Sequence, residues 1–151
     1  IPYPTFTSEM TYAGELAAVI DTECKAVDEA DVDDVVRGYT ILNDLDCLDQ
    51  ESLSARKAFD SSVPLGPVIA DIEPVGIEMT THINGELRQE DNTESMLIKP
   101  REIVSFLSER VTLKPDDVVS FGSPANPGLV APGDEIEIYY EGIGTLRNTV
   151  E

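Results

Sequence analysis

The sequence has no tryptophan, two cysteines, one histidine and few cations, and each scarcity excludes something. Two cysteines, Cys24 and Cys47, cannot build a disulfide framework, and their spacing with His82 fits no zinc site. They suit a chain that stays reduced in a cytoplasm. Lys and Arg number 10 against 30 Asp and Glu, a net charge of −20. A surface so poor in positive charge repels nucleic acid and anionic membrane faces. No apolar run is long enough to span a bilayer, and no signal peptide opens the chain. The first four residues, Ile1 to Pro4, read as the interior of a longer protein.

What is present points to a globular domain. The chain has 151 residues, 41% of them hydrophobic, enough for one domain with its own core. Ten glycines and ten prolines punctuate many short runs of Val, Ile and Thr. That is the pattern of a strand-rich fold. Regular apolar periodicity separates this acidity from that of a disordered chain. The expected source of the charge is a salt-adapted surface, whose self-repulsion salt screens.

The chain is organised around residues 38–50, GYTILNDLDCLDQ. A strand over Tyr39 to Leu42 runs into Asn43, Asp44 and a tight acidic turn. Alternation along a strand aims Asp44 and Asp46 the same way, two carboxylates where a strand meets a loop. A solvated acidic turn gives the same pattern. Upstream, Ile1 to Thr11 is expected to be irregular. Glu15 to Ile20 reads as a strand whose opening carboxylate needs an exposed end or a cation. Asp28 to Val36 reads as a short acidic helix, with Val32, Val35 and Val36 at helical spacing.

Downstream, Arg56 and Lys57 form the one adjacent basic pair, placed to serve an anionic ligand. Residues 62–67 read as a rigid loop before a strand from Val68 to Ile72. Asn84-Gly85 between Ile77 to Ile83 and Glu86 to Gln89 signals a hairpin with a primed turn. His82 on that hairpin reads as an ordinary strand residue. Pro100 to Glu109 is the best helix, with Ile103, Val104, Phe106 and Leu107 on one apolar face. A strand from Val118 to Phe121 leads into the small-residue loop Gly122-Ser123-Pro124. Glu135 to Tyr140 and Thr145 to Val150 make a last antiparallel pair. Short strands with two segregated helices define an α+β, mainly-β domain.

Six blocks in order (ELAAVI, GYTILND, KAFDSSVPLGP, NGELRQ, TLKPDDVVSFGSPAN and GDEIEIYYEGIGTLRN) resemble the fumarylacetoacetate hydrolase superfamily from Tyr12 to Val150. The resemblance implies the family's mixed, multilayered β-roll with a few short helices, its homodimer, and Mg²⁺ or Mn²⁺ as cofactor. It implies a small-molecule 2-oxo or β-diketo acid as substrate, with hydrolysis of a C–C bond or isomerisation of a 2-hydroxydienoate. A hard cation with open positions suits such chemistry, because it polarises the carbonyl and stabilises an enolate.

By position, Glu15 matches the second glutamate of the family's E-x-E metal pair and Asp44 the aspartate of its N-D motif. Lys57 matches a lysine beside the substrate. Ser123 stands where a threonine meets the substrate carboxylate. The sequence also departs from the pattern. Ala13 replaces the first glutamate of the pair, Leu48 replaces a substrate-binding arginine, and Glu51 stands at a glutamine. The lid segment with its acid–base histidine has no counterpart here, and His82 does not match it. Asp46, at the usual serine, is a substitute metal ligand, and Arg56 a substitute for the lost guanidinium. Two readings follow: a metal-dependent hydrolase or isomerase, or an impaired homologue that serves as a binding or scaffold subunit.

Overall fold

A computed structural model describes residues 1–123 and 127–151. The strands are β1 (Met10–Tyr12), β2 (Gly14–Ile20), β3 (Val36–Asn43), β4 (Asp46–Cys47), β5 (Leu65–Ala70), β6 (Glu78–Ile83), β7 (Glu86–Asn92), β8 (Val118–Ser120), β9 (Gly128–Val130), β10 (Glu135–Tyr140) and β11 (Gly144–Thr149). Two α-helices, α1 (Leu53–Lys57) and α2 (Pro100–Arg110), lie between them. The strands form three antiparallel sheets in the orders β4-β1-β9, β11-β10-β6-β7 and β5-β3-β2-β8. This is the mainly-β architecture that the strand pattern implies. No helix among the described residues is long and apolar enough to cross a membrane.

The core lies between the sheets. Leu16, Ala18 and Ile20 of β2, Ile41 of β3, Met79 of β6 and Ile136, Ile138 and Tyr140 of β10 are fully or almost fully removed from solvent. Strand alternation is what sends them inward while Glu15, Ala17 and Val19 take the opposite face of β2. Every residue of β2 is nonetheless buried, since β3 and β8 flank it on both edges. The expected hairpin is present: Asn84 and Gly85 both have positive φ, 53° and 79°, as a type I′ turn requires.

Several elements differ from their sequence expectation. Met10–Tyr12, expected to be irregular, is the central strand of the smallest sheet, held by β4 and β9 on either side. The acidic helix is a 3-10 segment over Glu29–Asp34 with no side-chain cap, and it buries only Val32. Val36 belongs to β3 instead. Unsatisfied N-terminal amides and adjacent carboxylates leave such a short segment no reason to extend. β5 starts at Leu65 rather than Val68 because Leu42 and Ile41 pair with Leu65 and Gly66, before a register shift between Ile41 and Tyr39. Pro67 is tolerated there because β5 is an edge strand. In α2, Phe106 turns outward, 52% exposed, with the Arg110 guanidinium stacked 3.4 Å from its ring centre. An i, i+4 neighbour shields the ring in place of the core.

Candidate functional site

The organising strand and the first carboxylate strand meet as neighbours. β2 and β3 pair with Glu15 across from Leu42 and Gly14 across from Asn43. One step further, the Asp44 N–H donates to the Ala13 carbonyl at 2.9 Å. Directly opposed residues share a face. Ala13, Glu15, Leu42 and Asp44 therefore form one patch on the outer face of the sheet.

Lys57, the last residue of α1, closes that patch. Its ammonium donates to both Asp44 carboxylate oxygens at 2.5 Å and to Asp46 Oδ2 at 2.9 Å. The short helix is fixed by Ser52, whose hydroxyl accepts from the Ala55 N–H at 3.1 Å. Burial pulls the Lys57 pKa down, but its bonds to Asp44 and Asp46 outweigh that, so the ammonium is held above its ordinary value.

Glu15 is 7% exposed. The Ser120 hydroxyl on β8 donates to its Oε2. Burial pushes the Glu15 pKa up and the Asp44 charge adds to this, against the Ser120 hydroxyl, Lys57 and the Gly122 N–H. Glu15, Asp44, Lys57 and Ser120 line one open pocket of about 320 Å³, whose other walls are Leu42, Val63, Leu65 and Val118.

Of the expected site residues, Glu15, Asp44 and Lys57 thus line a single pocket, and Asp46 joins through Lys57. Arg56 does not line it; its Nε donates to the Gln50 carbonyl at 3.3 Å. Ser123 does not line it either. Its hydroxyl donates to the Gly14 carbonyl and accepts from Gln89 Nε2, each at 3.0 Å. The loop's next residue, Pro124, lies outside the described residues. Leu48 is 38% exposed beyond β4.

Mg²⁺ or Mn²⁺ prefers several oxygen ligands with room for substrate. Glu15 and Asp44 supply two carboxylates to the pocket, and Ala13 offers none. Lys57 occupies both Asp44 oxygens and Asp46 Oδ2. Among the described residues, no three Asp, Glu, His or Cys side chains gather as a metal-holding group. The donor set present does not fit a three-ligand divalent site.

Two groups escaped the sequence reading. Ser120 carried no signal beyond the alternation that sets it beside Ala17 on the Glu15 face. Gln89, 2% exposed on β7, accepts from the Gly14 N–H at 3.1 Å through Oε1 while its amide nitrogen holds Ser123. A buried glutamine in a strand as polar as β7 is a signal, since burial without partners is costly.

Comparison with known proteins identifies the fold. The whole of residues 1–151 matches the family described as "Fumarylacetoacetate (FAA) hydrolase C-terminal". The structure of a 2-hydroxyhepta-2,4-diene-1,7-dioate isomerase from Mycobacterium marinum superposes with a TM-score of 0.96 at 38% identity, over 99% of this chain and 62% of that one. A fumarylpyruvate hydrolase from Pseudomonas aeruginosa, in complex with Mn²⁺ and pyruvate, gives a TM-score of 0.93 at 27% identity, over 99% of this chain and 69% of that one. The 4-hydroxyphenylacetate degradation bifunctional isomerase/decarboxylase of Salmonella dublin is 35% identical over 97% of this chain and 36% of its own length. Against three curated relatives, the chain spans 60 to 65% of their length.

Proposed function

This chain belongs to the fumarylacetoacetate hydrolase family, and from that premise we propose that it moves a proton on a small 2-oxo or β-diketo acid, as an isomerase or tautomerase does. The carrying observation is that a buried carboxylate and a fixed ammonium, Glu15 and Lys57, line one pocket. When substrate binds, the Lys57 ammonium turns one N–H from Asp46 to the substrate's keto oxygen and keeps its bonds to Asp44. The Glu15 carboxylate takes a proton from the carbon next to that carbonyl, and Lys57 faces the negative charge that develops on the enolate oxygen. Return of the proton to oxygen gives the enol, and return to a further carbon gives the shifted double bond.

Burial makes Glu15 a stronger base than an exposed carboxylate, and Ser120 fixes the oxygen that does not receive the proton. Asp44 and Asp46 hold the ammonium in place. These roles need only groups of the chain itself, and they suit a pocket whose converging carboxylates stop at two. The Mycobacterium marinum relative is named an isomerase and the Salmonella dublin one an isomerase/decarboxylase, which supports proton transfer, while the Pseudomonas aeruginosa one is named a hydrolase.

Proton NMR in D₂O tests this without knowledge of the natural substrate. The chain should accelerate exchange of the hydrogens next to the keto group of 2-oxobutanoate. Glu15→Gln and Lys57→Met should each lower that exchange by about 10²-fold or more, with circular dichroism unchanged. Exchange that persists in both variants removes these residues from the chemistry.

A further inference from the structure

The candidate pocket has a neighbour on the same face of the sheet. Strand alternation puts Glu15, Ala17 and Val19 in line on β2, and the register sets Ser120 and Val118 of β8 beside Ala17 and Val19. At about 3.3 Å per residue, Val19 lies some 13 Å from Glu15 along the strand. Around Val19 a second cavity, of about 380 Å³, is walled by Thr40, Leu65, Val68, Ile69 and Val118. It shares Leu65 and Val118 with the pocket that holds Glu15 and Lys57.

The walls are apolar and open. Leu65 is 45% exposed, Val68 52%, Ile69 45% and Val118 38%. Apolar side chains gathered in this way mark binding surfaces more often than chance exposure. One cation borders the cavity, Arg37, and its charge is already matched. Its Nε donates to Asp21 at 2.9 Å and its Nη1 to Asp116 at 2.6 Å. A carboxylate brought here would meet Asp116 and a chain of net charge −20 with no free positive partner among the lining residues.

We infer that this second cavity receives an apolar tail of the substrate. The oxo acid turned over at Glu15 and Lys57 is then a monocarboxylate with an alkyl or aryl substituent, and not a dicarboxylate. The inference rests on the proposed site, since the oxo-acid head must be held there for the tail to reach Val68. It assigns Leu65, Val68 and Val118 as the residues that select chain length. A buried methylene gains about fourfold in affinity, so a tail of four additional carbons, partly covered, should gain at least tenfold.

Calorimetric titration of the chain in high salt, with 2-oxobutanoate, 2-oxooctanoate and 2-oxooctanedioate as probes, tests this. 2-Oxooctanoate should bind at least tenfold more tightly than 2-oxobutanoate, and the terminal carboxylate of 2-oxooctanedioate should remove most of that gain. Val68→Asp should bring the ratio of the first two close to one, and the milder Val68→Ser should lower it. A ratio near one in the unaltered chain, or equal affinity for the dicarboxylate, overturns the tail inference and leaves the site standing. So does an unchanged ratio in Val68→Asp accompanied by loss of self-association in sedimentation, which assigns the groove to a second copy of the chain. If none of the three acids binds, or if 2-oxobutanoate binds Lys57→Met as well as the unaltered chain, the proposed site itself fails and the inference falls with it.

Discussion

Asp44 donates its backbone N–H to the carbonyl of Ala13, so the two residues stand opposite each other where β2 and β3 begin to separate. A longer side chain at position 13 would share the face of Glu15 and Asp44. Ala13→Glu should therefore supply the third carboxylate that the pocket lacks. In calorimetry, Mn²⁺ or Mg²⁺ should bind the unaltered chain weakly and Ala13→Glu at least tenfold more tightly. Without metal, the added like charge should lower the melting temperature, and Mn²⁺ should restore it. Equal affinity in the two proteins would show that the ion, where it binds, does not use this face.

Gln89 ties the sheet containing β7 to the strand that carries Glu15. Its carbonyl serves the Gly14 N–H and its amide nitrogen serves Ser123, inside the core. Gln89→Leu leaves the Gly14 N–H without that partner, at about 1–3 kcal/mol for an unsatisfied buried group. Urea denaturation should register a loss in that range. Exchange activity should fall by more than the loss of folded protein accounts for, because Gly14 directly precedes Glu15. An activity loss that merely tracks unfolding would confine Gln89 to a structural role.

Gly14 is there because two sheets close on it. A Cβ at this position would lie 2.8 Å from both Ile138 Cγ2 and Thr81 Oγ1 and 3.0 Å from Met79 Cε. Gly14→Ala forces side chains of β6 and β10 to move, an overpacking cost of about 1–3 kcal/mol. Its measure is the denaturation midpoint, and a midpoint equal to that of the unaltered chain would mean the sheets can part without penalty.

Asp49 contributes to the acid limb of stability. Thr7 Oγ1, the Ser8 N–H and Gln50 Nε2 donate to its carboxylate at 2.5, 2.9 and 3.1 Å. These bonds lower its pKa to about 2 from the ordinary 3.8. A depressed carboxylate contributes stability that is present above its unfolded pKa and lost as pH falls through the folded value. Asp49→Asn should therefore flatten the decline of melting temperature between about pH 4 and pH 2. A parallel decline in both proteins would mean that other carboxylates set that limb.

Period-two alternation and turn chemistry are local properties, and they made most of the fold legible before any coordinates. The Asn84-Gly85 hairpin, the strand leading to Asp44 and the helix from Pro100 follow from such rules. Glu15 and Asp44 became a candidate pair only through the family resemblance of the ordered blocks around them. Strand β1 was not legible, because three residues, MTY, carry no pattern until β4 and β9 arrive from distant parts of the chain. The outward turn of Phe106 likewise depends on what α2 packs against, which periodicity alone does not contain.

The residues by themselves determined the strand-rich architecture, the acidic surface and the likeness to one enzyme family. Only the tertiary structure decided that Lys57 bridges Asp44 and Asp46, that Ser120 reaches Glu15, and that an apolar groove adjoins the pocket. The reason is range. Alternation and turns act between near neighbours, whereas those three relations join segments from 11 to 105 residues apart along the chain and exist only once the sheet has been assembled.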